Sequence, residues 1–341
     1  MAEGALIHEG LKAFVDGRRG LIPGDGVDWR ILLDKASAMR IGPVLLEVFD
    51  NSMLPQEALD RWKNERQITF VRYARAAQAA ARLSGILDES GIAHVFTRGL
   101  VTAHTLYHNP ALRIMTDVDM LISRQDVDGF QECLTRHDIH PEKLLRSQIV
   151  YSIDGMVFEV HWSLTSIKRF KSVGLTDAFM NVRMPMDTEY GRIRRLPNGA
   201  ELSIALAHSF LHHDMEEPRQ LLDIALLMSS EETDWRWLGE WSRKVGFARA
   251  TGFILQFVNK SFGLELDDTL RREFSESTVP AERVFQAYYC ALFEEEYLSH
   301  YLIKQANLVT MSETMGDKMR QIIRNFSSDR IRLLGKFVRK S

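Results

Sequence analysis

Between residues 91 and 165 the apolar pattern of this 341-residue chain changes period, and that change sets its fold class. On either side, apolar residues recur at helical spacing. Inside, "IAHVF" reads as a strand, "GLVTAHTLY" as a helix, "RIMTDVDMLIS" as a second strand and "RQDVDGFQECLTRH" as a second helix. "SQIVYSIDGMVFEVHWSL" then reads as a hairpin turning at Asp154-Gly155, a dipeptide suited to tight two-residue turns. The expected class is α+β. A small mixed-sheet core over 91–197 is flanked by an N-terminal helical segment (1–90) and a C-terminal helical domain (198–341).

The flanking helices carry their own boundary signals. Asp28 is placed to cap "WRILLDKASAMR", and Gly42-Pro43 breaks the pattern. Pro55 suits the first turn of a long helix that runs through "RYARAAQAAARL" to about Ser90, with Gly91 at its C-terminal end. "GAELSIALAHSFLHH", "PRQLLDIALLMSS", "DWRWLGEWSRKVG" and "ARATGFILQFVNKSFG" each carry an apolar stripe, and 280–340 continue in the same way. The Trp cluster of "DWRWLGEW" is expected in a core. The basic tail from Lys318 is expected as a solvated helix face.

Bulk properties exclude several classes. Hydrophobic content of 45% and charged content of 26% are ordinary for globular proteins. A net charge of −3 gives no global attraction to nucleic acid. Two cysteines, Cys133 and Cys290, cannot build a disulfide framework, so a reducing cytoplasm is the expected compartment. No secretory signal is expected, and no apolar run is long enough to span a membrane. Walker A, GxGxxG and nucleophile-elbow motifs are missing from the sequence.

The chemistry concentrates in the strand "RIMTDVDML". Residues two apart on a strand share a face, so Asp117 and Asp119 are expected together, with Val118 and Met120 opposite. Two carboxylates this close repel unless a proton, a basic partner or a divalent ion lies between them. Glu159 sits in the middle of another apolar run, "VFEVHW", with Val157 and His161 on its face. Three carboxylates on neighbouring strands can hold two Mg²⁺ ions for phosphoryl transfer. Upstream, "FTRGL" lies where a strand enters a helix. There Gly99 lets backbone approach a phosphate and Arg98 adds a positive charge.

This order resembles the polymerase-β-like nucleotidyltransferase superfamily, and most closely its bacterial, uncharacterised nucleotidyltransferase family. That family's pattern is Lys-Gly…Tyr…Pro-x-x-Arg…Asp-x-Asp-Leu-Leu-Val…Glu-x-His-Trp. Here it reads "TRGLVTAHTLYHNPALRIMTDVDMLIS" and then "FEVHWSL". "MRIGPVLLEVF" and "ALAHSFLHHDMEEPRQLLDIALLM" resemble the family's N- and C-terminal helical segments. Two positions depart from the pattern. Arg98 stands where Lys is usual, which keeps the charge but changes donor geometry. Leu100 stands where the wider superfamily has Ser or Gly.

The resemblance implies an Mg²⁺-dependent enzyme, with Mn²⁺ as a substitute. It would move a nucleoside monophosphate from an NTP, ATP by default, to a hydroxyl on a small molecule or peptide. Asp117, Asp119 and Glu159 would be metal ligands, with Glu159 alternatively the base. Arg98, Gly99, Arg113 and His161 would contact the nucleotide. Two rivals accompany this reading: sugar transfer from a nucleotide sugar to a peptide in natural-product biosynthesis, on the same metal site, and a non-catalytic nucleotide- or partner-binding protein.

Several positions keep two readings. Arg113 either reaches a triphosphate or braces the aspartates. His161 is either a phosphate or acceptor contact or a hydrogen-bonded core histidine beside Trp162. His208, His212, His213, Asp214 and Asp223 suggest a second metal array, but their spacing is compressed. The alternative is that His208 and Asp223 join helices across the C-terminal bundle, with Arg219 four residues before Asp223 as its partner.

Overall fold

The computed structural model describes residues 2–145, 147–163, 176–264, 274, 282–294 and 298–311. The basic tail from Lys318 lies outside the described residues. The N-terminal part is helical: α1 (Ala2–Val15), α2 (Trp29–Ala38) and α3 (Gly42–Val48). The Asp28 carboxylate accepts the backbone N–H groups of Arg30 and Ile31, which satisfies two free donors at the start of α2. The long helix α4 (Gln56–Glu89) follows directly on Pro55 and ends at Ser90, with Gly91 left-handed at φ +69°. At 34 residues it spans on the order of 50 Å.

The strands β1 (His94–Thr97), β2 (Val118–Ile122), β3 (Pro141–Leu144), β4 (Gln148–Ile153) and β5 (Met156–His161) form one sheet in the order β1-β2-β5-β4-β3. β2 and β5 run parallel, and the other neighbours run antiparallel. The sheet is therefore mixed. Helix α5 (Gly99–Thr105) joins β1 toward β2, and α6 (Val127–Arg136) follows β2. The β4–β5 hairpin turns at Asp154 (φ 51°) and Gly155 (φ 75°), as the dipeptide predicts.

The structure shortens one expected strand. Pairing starts at Val118, so Asp117 stands just ahead of β2 rather than within it. The reason lies in the carbonyls upstream. Arg219 donates to the Ile114 carbonyl and Arg72 to that of Met115, so side chains take the place of a strand partner.

After a short helix α7 (Asp177–Met180), a separate hairpin of β6 (Met184–Thr188) and β7 (Gly191–Arg195) packs on α4. The C-terminal helices are α8 (Asn198–His212), α9 (Pro218–Met228), α10 (Trp235–Lys244) and α11 (Ala248–Phe262), with further helices at Glu282–Phe293 and Leu298–Thr310. Trp235 and Trp241 are buried in the core and Trp237 packs against it half-buried, as expected of the Trp cluster.

Two apolar cores result. One joins Phe96, Met120, Phe158 and Val160 of the sheet to Phe130 of α6 and the Ala-rich half of α4. The other joins Leu45 and Trp62 of the N-terminal helices to Phe210, Leu222 and Phe253 of the C-terminal ones, and includes Val95 and Leu121 from the opposite sheet face. Alternation along the strands thus leaves Thr97, Asp119, Glu159 and His161 on the side of α8.

Candidate active site

Strand register assembles the site. Thr97 pairs with Asp119 across β1–β2, and Asp119 pairs with Glu159 across β2–β5, so three polar side chains form one row. His161 follows Glu159 on the same face. It lies 3.3 Å from Asp119 and 3.5 Å from Glu159. Asp117, from the segment before β2, faces the same cavity of about 330 Å³ as Asp119, Glu159, Arg98 and Gly99.

Arg98 occupies the centre. Its Nη2 donates to Asp119, and its Nη1 lies 2.5 Å from Nδ1 of His208 on α8. His208 in turn lies 3.0 Å from His213, whose Nδ1 is 2.8 Å from Glu217. A continuous polar chain therefore runs from the sheet through Arg98 to the start of α9. The Arg98 backbone is strained, at φ 56° and ψ −129°. One buried group over-determines that conformation. Glu201, 2% exposed on α8, accepts the Arg98 N–H at 2.5 Å and the Thr97 hydroxyl at 2.8 Å.

The electrostatics follow from these contacts. Burial pushes Asp119 upward, but the Arg98 guanidinium and the His161 hydrogen bond outweigh it and hold the carboxyl below its ordinary range. Asp117 goes the other way, raised by burial and then by the Asp119 charge. Glu159 is lowered by its hydrogen bond from His161. Burial alone would lower His161, but its bonds to Asp119 and Glu159 raise it. His208 is held well below the usual imidazole range by burial and by Arg98, so it stays neutral. Burial pushes Glu201 up to about 7.

Two expected contacts resolve differently. Arg113 turns away from the aspartates. Its Nη2 lies 2.6 Å from Asp223 on α9, and Tyr107 donates to the same carboxylate at 2.8 Å. Both charged side chains of the pair are only 6% exposed, so it pins α9 to the turn before β2. Arg219, read as a partner of Asp223, instead donates to Glu217 and to the Ile114 carbonyl. His208 and Asp223 thus join the C-terminal helices to the α/β core rather than to one another. Space at Gly99 is tight: a Cβ there would sit 3.1 Å from Nη1 of Arg113, which would have to give by a few tenths of an ångström.

The donor set fits a divalent ion. Asp119, Glu159 and His161 each offer one ligand atom, all within 4.8 Å of one another. Among the described residues they form the group of His, Cys, Asp or Glu close enough for one ion, and the His208–His212–His213 cluster forms no such array. The two carboxylates suit Mg²⁺ or Mn²⁺, and an imidazole ligand beside them favours the softer Mn²⁺ over Mg²⁺.

Sequence reasoning missed Glu201. It carries no motif, and its one signal is an acid in the otherwise apolar stretch "GAELSIALA". Among the described residues no helix is long and apolar enough to cross a membrane.

No curated protein sequence matches the chain significantly. Two solved structures resemble it distantly. The solution structure of the antibiotic-resistance factor ANT(2'')-Ia has 8% identity and a TM-score of 0.36, covering 52% of this chain and 90% of its own. The crystal structure of an antigenic nucleotidyltransferase-like protein from Paracoccidioides brasiliensis has 13% identity and a TM-score of 0.36, covering 59% of this chain and 97% of its own. A family profile described as "Uncharacterised nucleotidyltransferase" matches residues 25–263, which takes in α2 to α4, the acidic row and α8 to α11. The chain belongs to that nucleotidyltransferase family.

Proposed function

We propose that the protein transfers a nucleoside monophosphate from an NTP, ATP by default, to a hydroxyl of a small molecule or peptide. The carrying observation is the register that sets Asp119 directly beside Glu159, at the floor of a cavity entered by Arg98 and Gly99. Asp119, Glu159 and His161 would hold a divalent ion, with Asp117 beside them. When bound, Mg²⁺ or Mn²⁺ supplies positive charge at the phosphoryl oxygens and orients the triphosphate. Glu159, 30% exposed in its side chain, faces the cavity and is held ionised, so it can also accept the hydroxyl proton. The acceptor oxygen bonds to the α-phosphorus, the bond to the departing pyrophosphate breaks, and the hydroxyl proton passes to Glu159. Arg98, anchored at its backbone by Glu201, fixes positive charge beside the transferred group.

The test incubates the full chain with each NTP, Mg²⁺ or Mn²⁺, and a host extract. The expected result is pyrophosphate release with a product heavier by one nucleoside monophosphate, both lost in Asp119→Asn. A hexose increment from a nucleotide sugar would establish the rival transfer. Failure to release pyrophosphate with any NTP and either metal would overturn the reading.

A further inference from the structure

The cavity has a second charged wall, built from residues outside the sheet. Arg219 lies near the start of α9 and is 9% exposed. Its Nη1 donates to the Ile114 carbonyl and its Nη2 lies 3.4 Å from Glu217, but its Nε–H has no acceptor among the described residues. Glu217 cannot neutralise it fully, because the same carboxylate also takes His213 at 2.8 Å and Gln220 at 2.8 Å. The neighbouring Asp223 is committed to Arg113 and Tyr107. Burial and the Arg113 charge pull Arg219 down to about 10, which leaves it cationic at neutral pH.

Arg40 lies across from it. It follows α2 at the position where glycine usually ends a helix, and it adopts a left-handed backbone with φ 58°. Its N–H bonds to the Ser37 carbonyl. A side chain there costs on the order of 1 kcal/mol that glycine would avoid. The Arg40 side chain lines the same cavity, and its charge is near enough to depress Arg219. Among the described residues it makes no hydrogen bond or ion pair.

Two guanidinium groups thus line one cavity, Arg219 bonded to a Glu217 carboxylate that other donors also take and Arg40 without a side-chain partner among the described residues. Like charges so placed favour an anion, and planar forks match phosphate oxygens. Among the described residues that line the cavity there is no Phe, Tyr, Trp or large aliphatic side chain, so charged and polar groups rather than apolar surface dominate it. The geometry points to Arg40 and Arg219 as the seat of a polyphosphate chain, the β- and γ-phosphates of the donor nucleotide. This identification of the chain as the donor's rests on the proposed nucleotidyl transfer. The N-terminal and C-terminal helices would then each supply one cation to the part of the substrate that leaves.

The test measures binding of inorganic tripolyphosphate, ATP and AMP, each with Mg²⁺, to the full chain by calorimetry. The wild type is expected to bind tripolyphosphate and to prefer ATP over AMP. Arg40→Gln and Arg219→Gln should each weaken tripolyphosphate and ATP about 10- to 100-fold and leave AMP within about twofold. Arg219→Gln removes a buried donor and can fail to fold. Arg40→Gln alters an exposed side chain and carries the test alone in that case. A wild type that does not bind tripolyphosphate, or an Arg40→Gln variant that binds it unchanged, overturns the seat. Tripolyphosphate binding that falls in the variants, without pyrophosphate release from any NTP, upholds the seat and overturns the transfer reading alone.

Discussion

Asp119 and Glu159 are Cα partners across the one parallel junction in the mixed sheet, β2 against β5. Parallel pairing places two carboxylates from distant parts of the chain side by side without a turn between them. The rigid row holds them where loops would let them splay. Four consequences can be measured.

Asp117 and Asp119 should respond oppositely to neutralisation. Asp119 is buried against Arg98, so Asp119→Asn leaves an uncompensated guanidinium and should cost about 3 kcal/mol of unfolding free energy in metal-free buffer. Asp117 is raised by burial and by its neighbour's charge, so Asp117→Asn should leave stability unchanged or increase it. Urea unfolding of both variants with a chelator present checks this. Equal losses would mean that Asp117 has its own structural partner.

Glu159→Gln separates base from ligand. As a base, Glu159 is expected to carry about 10²–10⁴-fold of turnover while NTP affinity holds. As a ligand, it should lose metal affinity and turnover together. Single-turnover rates and Mn²⁺ titrations on one preparation distinguish the two. A variant with normal turnover would remove Glu159 from the chemistry.

The buried Arg113–Asp223 pair should behave as structure. Breaking it with Asp223→Asn strands a guanidinium that is 6% exposed, and should cost about 3–5 kcal/mol. The double change Arg113→Met with Asp223→Leu should recover part of that loss, because neither charge is then left alone. Thermal melts of the three variants measure it. A double variant less stable than Asp223→Asn would show that the pair contributes more than its own neutralisation.

Glu201 makes stability depend on pH. Its carboxyl rises from an ordinary 4.5 to about 7 on folding, so the folded state holds the proton more tightly. The contribution is complete below about pH 4.5 and is lost as pH rises through 7, amounting to about 3 kcal/mol. Glu201→Gln cannot titrate, so the gap in unfolding free energy between variant and wild type should change across that window. Parallel pH curves would show that Glu201 keeps its ordinary affinity for protons.

Local signals made much of this legible in advance. Pro55 and Gly91 bracket α4, Asp28 caps α2, and Asp154-Gly155 turns the hairpin, because each acts through its own backbone. The acidic row was legible because period-2 alternation makes a carboxylate in an apolar strand conspicuous. What escaped depends on contacts between distant segments. Glu201 meets Thr97 and Arg98 only after α8 docks on the sheet, and Arg113 chooses Asp223 over the nearer aspartates only after α9 arrives. The β6–β7 hairpin lacks the usual turn dipeptide, with Glu189-Tyr190 between its strands, and it is held by packing on α4.

Helix α4 gives the fold a single mechanical axis. Trp62, near its start, is rooted in the core shared by the two helical segments, and Ala76 to Leu87 are rooted in the core beneath the sheet. Loss of packing in either core loosens the same rod. Heat, denaturant or a mutation far from the cleft should therefore reach both cores together, and the acidic row, seated over one and covered by the other, has no way to outlast either.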